Sequence, residues 1–211
     1  MQSLIILGGG GYAIQIAWMA ARSGLFEVVG MLDETITSPR DHNGIPVRAS
    51  IDDLLGFCGK GEVPRLIAAV GNIGLRQRWH AEYSGRFEFA SFVDPLALVS
   101  PNAQIGRDCA VLFGTICSVD TVIGDGTHIN VHCQVSHQVV VGKFCNVSSG
   151  VKLTGGSKVG DRCEIGTNAC VLPKVRVGND CIVGAGAVVN TDLPDGVTVV
   201  GVPARIIKYA K

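Results

Sequence analysis

Charge is scarce in this sequence. Asp, Glu, Lys and Arg make up 17% of its 211 residues, below the roughly 25% usual in globular proteins. The formal net charge is zero, and the Lys and Arg residues are scattered. No basic face remains to hold nucleic acid or an anionic membrane by electrostatics. Apolar residues reach 47%, enough for a core, so disorder is excluded as well. No C-x-x-C pair occurs among the eight cysteines, Cys58, Cys109, Cys117, Cys133, Cys145, Cys163, Cys170 and Cys181. A long hydrophobic run is missing too. The stretch from Met1 to Gly8 has no basic residue before it and breaks at a glycine cluster, too short for a signal peptide or a spanning helix. It reads as a first core strand. The expectation is a cytoplasmic chain whose thiols are free.

What the sequence has instead is a period of six. Ile-Gly and Val-Gly pairs start at Ile105, Ile123, Val141, Val159, Ile165, Val177 and Val183, always a multiple of six apart. Stepping by six from Val93 to Val189 meets no polar residue. Neither a 3.6-residue helix nor two-residue alternation explains this. A solenoid does: each hexad forms one flat side, and three sides close a triangular coil. The aliphatic residue points inward, and the glycine after it is expected to turn a corner at positive φ. Four positions after each anchor the residues are small, from Cys109, Thr115 and Thr121 to Ala187. They read as a second inward position of limited volume. Cys109, Cys133, Cys145, Cys163 and Cys181 fall there, as compact fillers.

The front of the chain follows another pattern. Residues 3–7 read as a strand, Gly8 to Gly11 as a turn, Tyr12 to Ala21 as a helix, and 27–32 as a second strand ending at Asp33. Gly8-x-Gly10-x-x-Ala13, with Asp33 twenty residues on, fits the dinucleotide fingerprint. Backbone N–H groups at such a helix start attract phosphate oxygens. Gly8, Gly10 and Gly11 are therefore candidates for phosphate, and Asp33 for a ribose hydroxyl. Leu66 to Val70, then Gly71-Asn72, add another strand and loop before a helix. About ninety residues are short for a full NAD site, so a nucleotide handle on a substrate fits better. The expected division is an α/β, Rossmann-like nucleotide-binding domain over 1–93, a parallel β-helix over 94–193, and a tail over 194–211.

Together the glycine loop, Ala69-Val70-Gly71-Asn72, the hexads and the Gly201-Val202-Pro203-Ala204-Arg205 ending resemble the NeuD/PglD-type sugar acetyltransferases of the hexapeptide-repeat superfamily. The resemblance covers nearly the whole chain. It implies a left-handed β-helix, a homotrimer and direct transfer from acetyl-CoA. The acceptor it implies is the amine of a nucleotide-linked 4-amino-4,6-dideoxy sugar, with a hydroxyl of sialic acid as the alternative. A non-catalytic scaffold of the same fold is a third reading. The family's general base sits two residues after an anchor, as His137 follows Val135. An imidazole suits that work near neutrality. By the same resemblance Asn130 lies near the acceptor group, Asn146 near the thioester carbonyl, Gly155 donates a backbone N–H to that carbonyl, and Ala185 meets the pantetheine arm. The chain departs from the family at Gln138, where Asp or Glu is usual. An amide can accept a hydrogen bond but cannot bring charge to the imidazole. His128 and His132 read as polar residues near a subunit interface. No metal is expected, because the hexad phase turns Cys133 away from outward histidines.

If the inward cysteines only pack, Cys145→Ala and Cys163→Ala each lower stability by about 1 kcal/mol and leave turnover unchanged. Denaturant melts beside an acetyl-CoA assay check this; a folded variant without turnover contradicts it.

Overall fold

Leu4, Ile5, Ile6 and Leu7 are fully buried, as a strand covered on both faces must be. In a computed structural model, which describes residues 1–59 and 61–209, they lie in β1 (Gln2–Leu7). α1 (Gly11–Ser23) follows and stops at Gly24, whose φ of 69° lets its N–H reach back to Ala21. Next come β2 (Phe26–Leu32), the hairpin β3 (Arg40–His42) and β4 (Ile45–Arg48), and α2 (Ile51–Leu55). β5 (Arg65–Ala68) and α3 (Ile73–Tyr83) complete the unit. The sheet order is β3-β4-β2-β1-β5, parallel except for β3 on β4. The chain thus builds outward from β1 on one side and then crosses to its other side. That reversal at β1/β5 opens a crevice beyond the strand ends.

The first compact unit ends at Phe92 and the second begins at Val93. From there each hexad gives a two-residue strand. Strands recur on the same face every third hexad and pair in parallel register, as Ile116 with Gln134 and Cys117 with Val135. One face carries Leu98–Val99, Ile116–Cys117, Gln134–Val135, Lys152–Leu153, Cys170–Val171 and Val188–Val189. A second runs from Gln104–Ile105 to Arg176–Val177. A third includes His128–Ile129, Asn146–Val147, Glu164–Ile165 and Ile182–Val183. Val197–Val200 extends that third face, and Arg205–Tyr209 turns back antiparallel on it.

The anchors fill the prism, and the small residues at the second inward position are buried beside them. These small residues do more than fill space. Thr127 Oγ1 donates to the Gly142 carbonyl at 2.7 Å and accepts the Cys145 N–H at 2.9 Å. The thiols of Cys145 and Cys163 donate to the carbonyls of Gly160 and Gly178, both at 3.0 Å. Each side chain thereby satisfies buried backbone that the ladder leaves unpaired.

The expected reason for the anchor glycines is overturned. Positive φ falls two residues later, at Asp108 (54°), Gly114 (70°), Asp120 (58°), Gly126 (69°) and Gln138 (59°) among others. The glycine after the anchor is needed for close approach instead. A Cβ on Gly160 would lie 2.7 Å from the Gly178 carbonyl carbon and 2.8 Å from Asn179 N, and one on Gly142 2.6 Å from the Gly160 carbonyl carbon. At the corner after the second face most coils are also clipped to the next by a side chain. Asp125, Asp161, Asn179 and Asp195 accept the backbone N–H of Arg107, Lys143, Asp161 and Asn179 at 2.8–2.9 Å.

Crowding and φ make different demands. Gly160→Ala should cost about 1–3 kcal/mol. Gly156→Asn, at φ 70° with only an ordinary contact to Lys174, should cost less than about 1 kcal/mol. Chemical denaturation of both variants reads the difference; a neutral Gly160→Ala contradicts the close-approach account.

Candidate active site

His137 is exposed at the corner that follows the strand Gln134–Val135. The residues stacked with it on that edge are Val119 one coil before, Gly155 one coil after, and then Pro173. The imidazole lies over Gly155: a Cβ there would be 2.6 Å from both Cε1 and Nε2. Gly155 is therefore the space the ring occupies. Among the described residues neither the His137 ring nor the Gln138 side chain makes a hydrogen bond, so packing on Gly155 sets the ring. Gln138 turns the corner at φ 59°, with its N–H on the Val119 carbonyl at 2.9 Å.

Gly155 lies on a different edge from the corner clipped at Arg107, Lys143, Asp161 and Asn179. Its carbonyl accepts from Lys174 at 3.0 Å, yet its N–H has no acceptor among the described residues. The next residue on that edge is Pro173, which brings none. An unpaired N–H beside an imidazole can serve as an oxyanion donor.

The other expected residues lie elsewhere on the prism. Asn130 sits at the corner between the third and first faces, and its Oδ1 accepts the Val131 N–H at 2.7 Å. Ala185 occupies the same edge further along, exposed. Asn146 faces outward on the third face, in register between His128 and Glu164. One chain thus brings His137, Gln138 and Gly155 together at one corner and keeps Asn130, Asn146 and Ala185 away from it. His128 is buried at 4% exposure rather than a surface residue. His132 is exposed and edge-on to Phe113, with ring centroids 5.0 Å apart.

Covalent chemistry gets no support from Cys117 or Cys133. Burial pushes the Cys117 thiol up to about 12 and the Cys133 thiol up to about 11, so neither is a thiolate near neutrality. Among the described residues no three His, Cys, Asp or Glu side chains could hold a metal ion, and no helix is long and apolar enough to cross a membrane.

In the first unit, Gly8 adopts φ 129° where the ends of β1 and β5 meet; a Cβ there would lie 2.8 Å from the Ala69 carbonyl oxygen. Gly10 and Gly11 face open space, where a Cβ would meet nothing within 4 Å. α1 starts with no side-chain cap and no acidic residue in its first turn. By contrast Ser50 and Asn72 cap α2 and α3. Asp33 reaches back over Gly9, where a Cβ would stand 2.7 Å from its Cγ. The role of Gly9 carried no signal beyond the glycine run itself.

The PglD N-terminal domain model matches residues 3–83, and the bacterial transferase hexapeptide model, of six repeats, matches 156–191. Perosamine N-acetyltransferase from Caulobacter crescentus, solved as a histidine-to-asparagine mutant with CoA and GDP-perosamine, is 34% identical. The match has a TM-score of 0.89 over 99% of this chain and 98% of the other. The acetyltransferase domain of PglB from Neisseria gonorrhoeae, in complex with acetyl coenzyme A, is 31% identical, with a TM-score of 0.89 over 98% of this chain and 99% of that one. WeeI from Acinetobacter baumannii, 24% identical with a TM-score of 0.85 over 98% of this chain and 100% of its own, shares the fold. No curated protein matches the sequence. A small Rossmann-like unit followed by a left-handed β-helix defines the class as hexapeptide-repeat acyltransferases. Within it the chain belongs to the PglD-type sugar acetyltransferases.

If Gly155 holds the place of the imidazole, a methyl group there displaces it. Gly155→Ala should lower kcat by about 10²-fold with the fold retained by circular dichroism. In a His137→Ala background the same change should add little, because both act through one ring. Full activity in Gly155→Ala removes this role.

Proposed function

We propose that this enzyme acetylates the amine of a nucleotide-linked 4-amino-4,6-dideoxy sugar by direct transfer from acetyl-CoA, with His137 as general base. The observation that carries the reading is the His137 ring set over Gly155, whose N–H has no acceptor among the described residues. The amine nitrogen attacks the thioester carbonyl carbon, and a C–N bond forms. His137 takes the proton the nitrogen releases. The oxygen that gains charge is held by the Gly155 N–H. The C–S bond then breaks, and the leaving thiolate takes the proton back from the imidazolium. Acetyl-CoA enters as a co-substrate, so no group resident in the protein is required.

Gln138 has no charge to lend the ring, so its contribution is the shape of the corner. The nucleotide is held at the Gly8–Gly11 loop and Asp33. In support, α1 begins uncapped beside the β1/β5 crevice, and a Caulobacter relative is solved with GDP-perosamine.

Asn130, Asn146 and Ala185 lie away from the His137 corner of their own chain, so they act on the corner of a second copy. A homotrimer with acetyl-CoA in the groove between two β-helices satisfies this, since each closed symmetric interface brings unlike edges together.

His137→Ala should lower turnover by about 10²–10⁴-fold while light scattering still gives a mass three times that of the chain. Near-normal turnover removes His137 from its role, and a stable monomer at micromolar concentration removes the shared groove.

A further inference from the structure

The nucleotide loop has a neighbour that the glycine fingerprint does not include. Arg40 opens β3, and its Nη2 donates to Asp33 Oδ2 at 2.9 Å and to the Gly9 carbonyl at 3.4 Å. The side chain therefore spans the mouth of the glycine loop. Its strand is fixed from behind by Arg48, whose Nη1 donates to the Arg40 carbonyl at 2.9 Å and to Asp41 at 3.3 Å. Asp33 is engaged on its other oxygen, where Oδ1 accepts the Thr35 N–H at 3.1 Å and its hydroxyl at 2.6 Å.

Both Arg40 contacts run through Nη2. Among the described residues Nη1 and Nε have no partner, and the side chain is 52% exposed. A guanidinium presents five donors in a planar fork that matches phosphate oxygens. The loop itself offers only the partial charge of a helix start. A nucleotide-linked sugar with a diphosphate brings two full negative charges to that place.

We propose that Arg40 is the guanidinium that binds the diphosphate of the nucleotide sugar, and that it is parked on Asp33 until the nucleotide arrives. Arg40 turns its fork from Oδ2 to the phosphates. Oδ2 is then free to accept a ribose hydroxyl, so one movement prepares both contacts. This rests on the reading of Gly8–Gly11 as the nucleotide site.

The test is calorimetric titration of the full-length chain with GDP, UDP and dTDP and with the corresponding monophosphates, at one ionic strength. Arg40→Ala should weaken the diphosphate that the wild type binds by about 10-fold or more, and the matching monophosphate by less than about 2-fold. Arg40→Lys should recover part of the loss, since it keeps the charge without the fork. Melting curves check that both variants fold. An unchanged diphosphate affinity, or an equal loss on both classes, overturns the assignment to Arg40 alone. A wild type that binds none of these nucleotides overturns the loop reading, and the Arg40 proposal with it.

Discussion

The second unit depends on one spacing, the distance from a coil to the coil stacked on it. Strands in a sheet lie about 4.8 Å apart, and here that distance holds around the whole prism. Every residue therefore meets the side chains at its own position one coil earlier and one coil later. At the corner after the second face the next coil's backbone occupies the place of a Cβ, so glycine follows the anchor at Gly106, Gly124, Gly142, Gly160 and Gly178. Threonine and cysteine inside follow too, because a small donor there reaches a carbonyl that has no other partner among the described residues. The clips by Asp125, Asp161, Asn179 and Asp195 are the same constraint met from outside.

The candidate catalytic corner lies on another edge of the prism, after the first face. At Gly155 the next residue is Pro173, and the N–H has no acceptor among the described residues. Gly155 also lacks the side chain that would fill the space under His137. One substitution pattern along one edge thus yields a held imidazole and a donor beside it. The candidate nucleotide loop of the first unit is held by looser contacts. An exposed ion pair such as Arg40–Asp33 contributes only about 0–1 kcal/mol, so an incoming phosphate can displace it.

The solenoid was legible in the sequence because the anchors are apolar without exception, and the structure buries those from Val111 onward beside the small residues. The strand–glycine–helix–strand opening was legible for a similar reason: Leu4 to Leu7 are apolar throughout, and Gly8 to Gly11 interrupt them. A period of six did not reveal what depends on the eighteen-residue coil. It assigned positive φ to the anchor glycine, whereas contact with the next coil requires it. His128 looked like a surface residue, although its strand position is buried. Arg40 was not legible at all, since its meeting with Asp33 and Gly9 depends on how β3 folds beside the loop.

The central claim is that the site joins the His137 corner of one copy to the Asn130 edge of another. Subunit mixing tests it most directly. His137→Ala and Asn130→Ala chains, each inactive alone, are unfolded together in equal amounts and refolded into mixed assemblies. A site shared between copies restores about a quarter of wild-type turnover, since that fraction of grooves receives both intact residues. Mixed assemblies that stay as inactive as either parent would contradict the account.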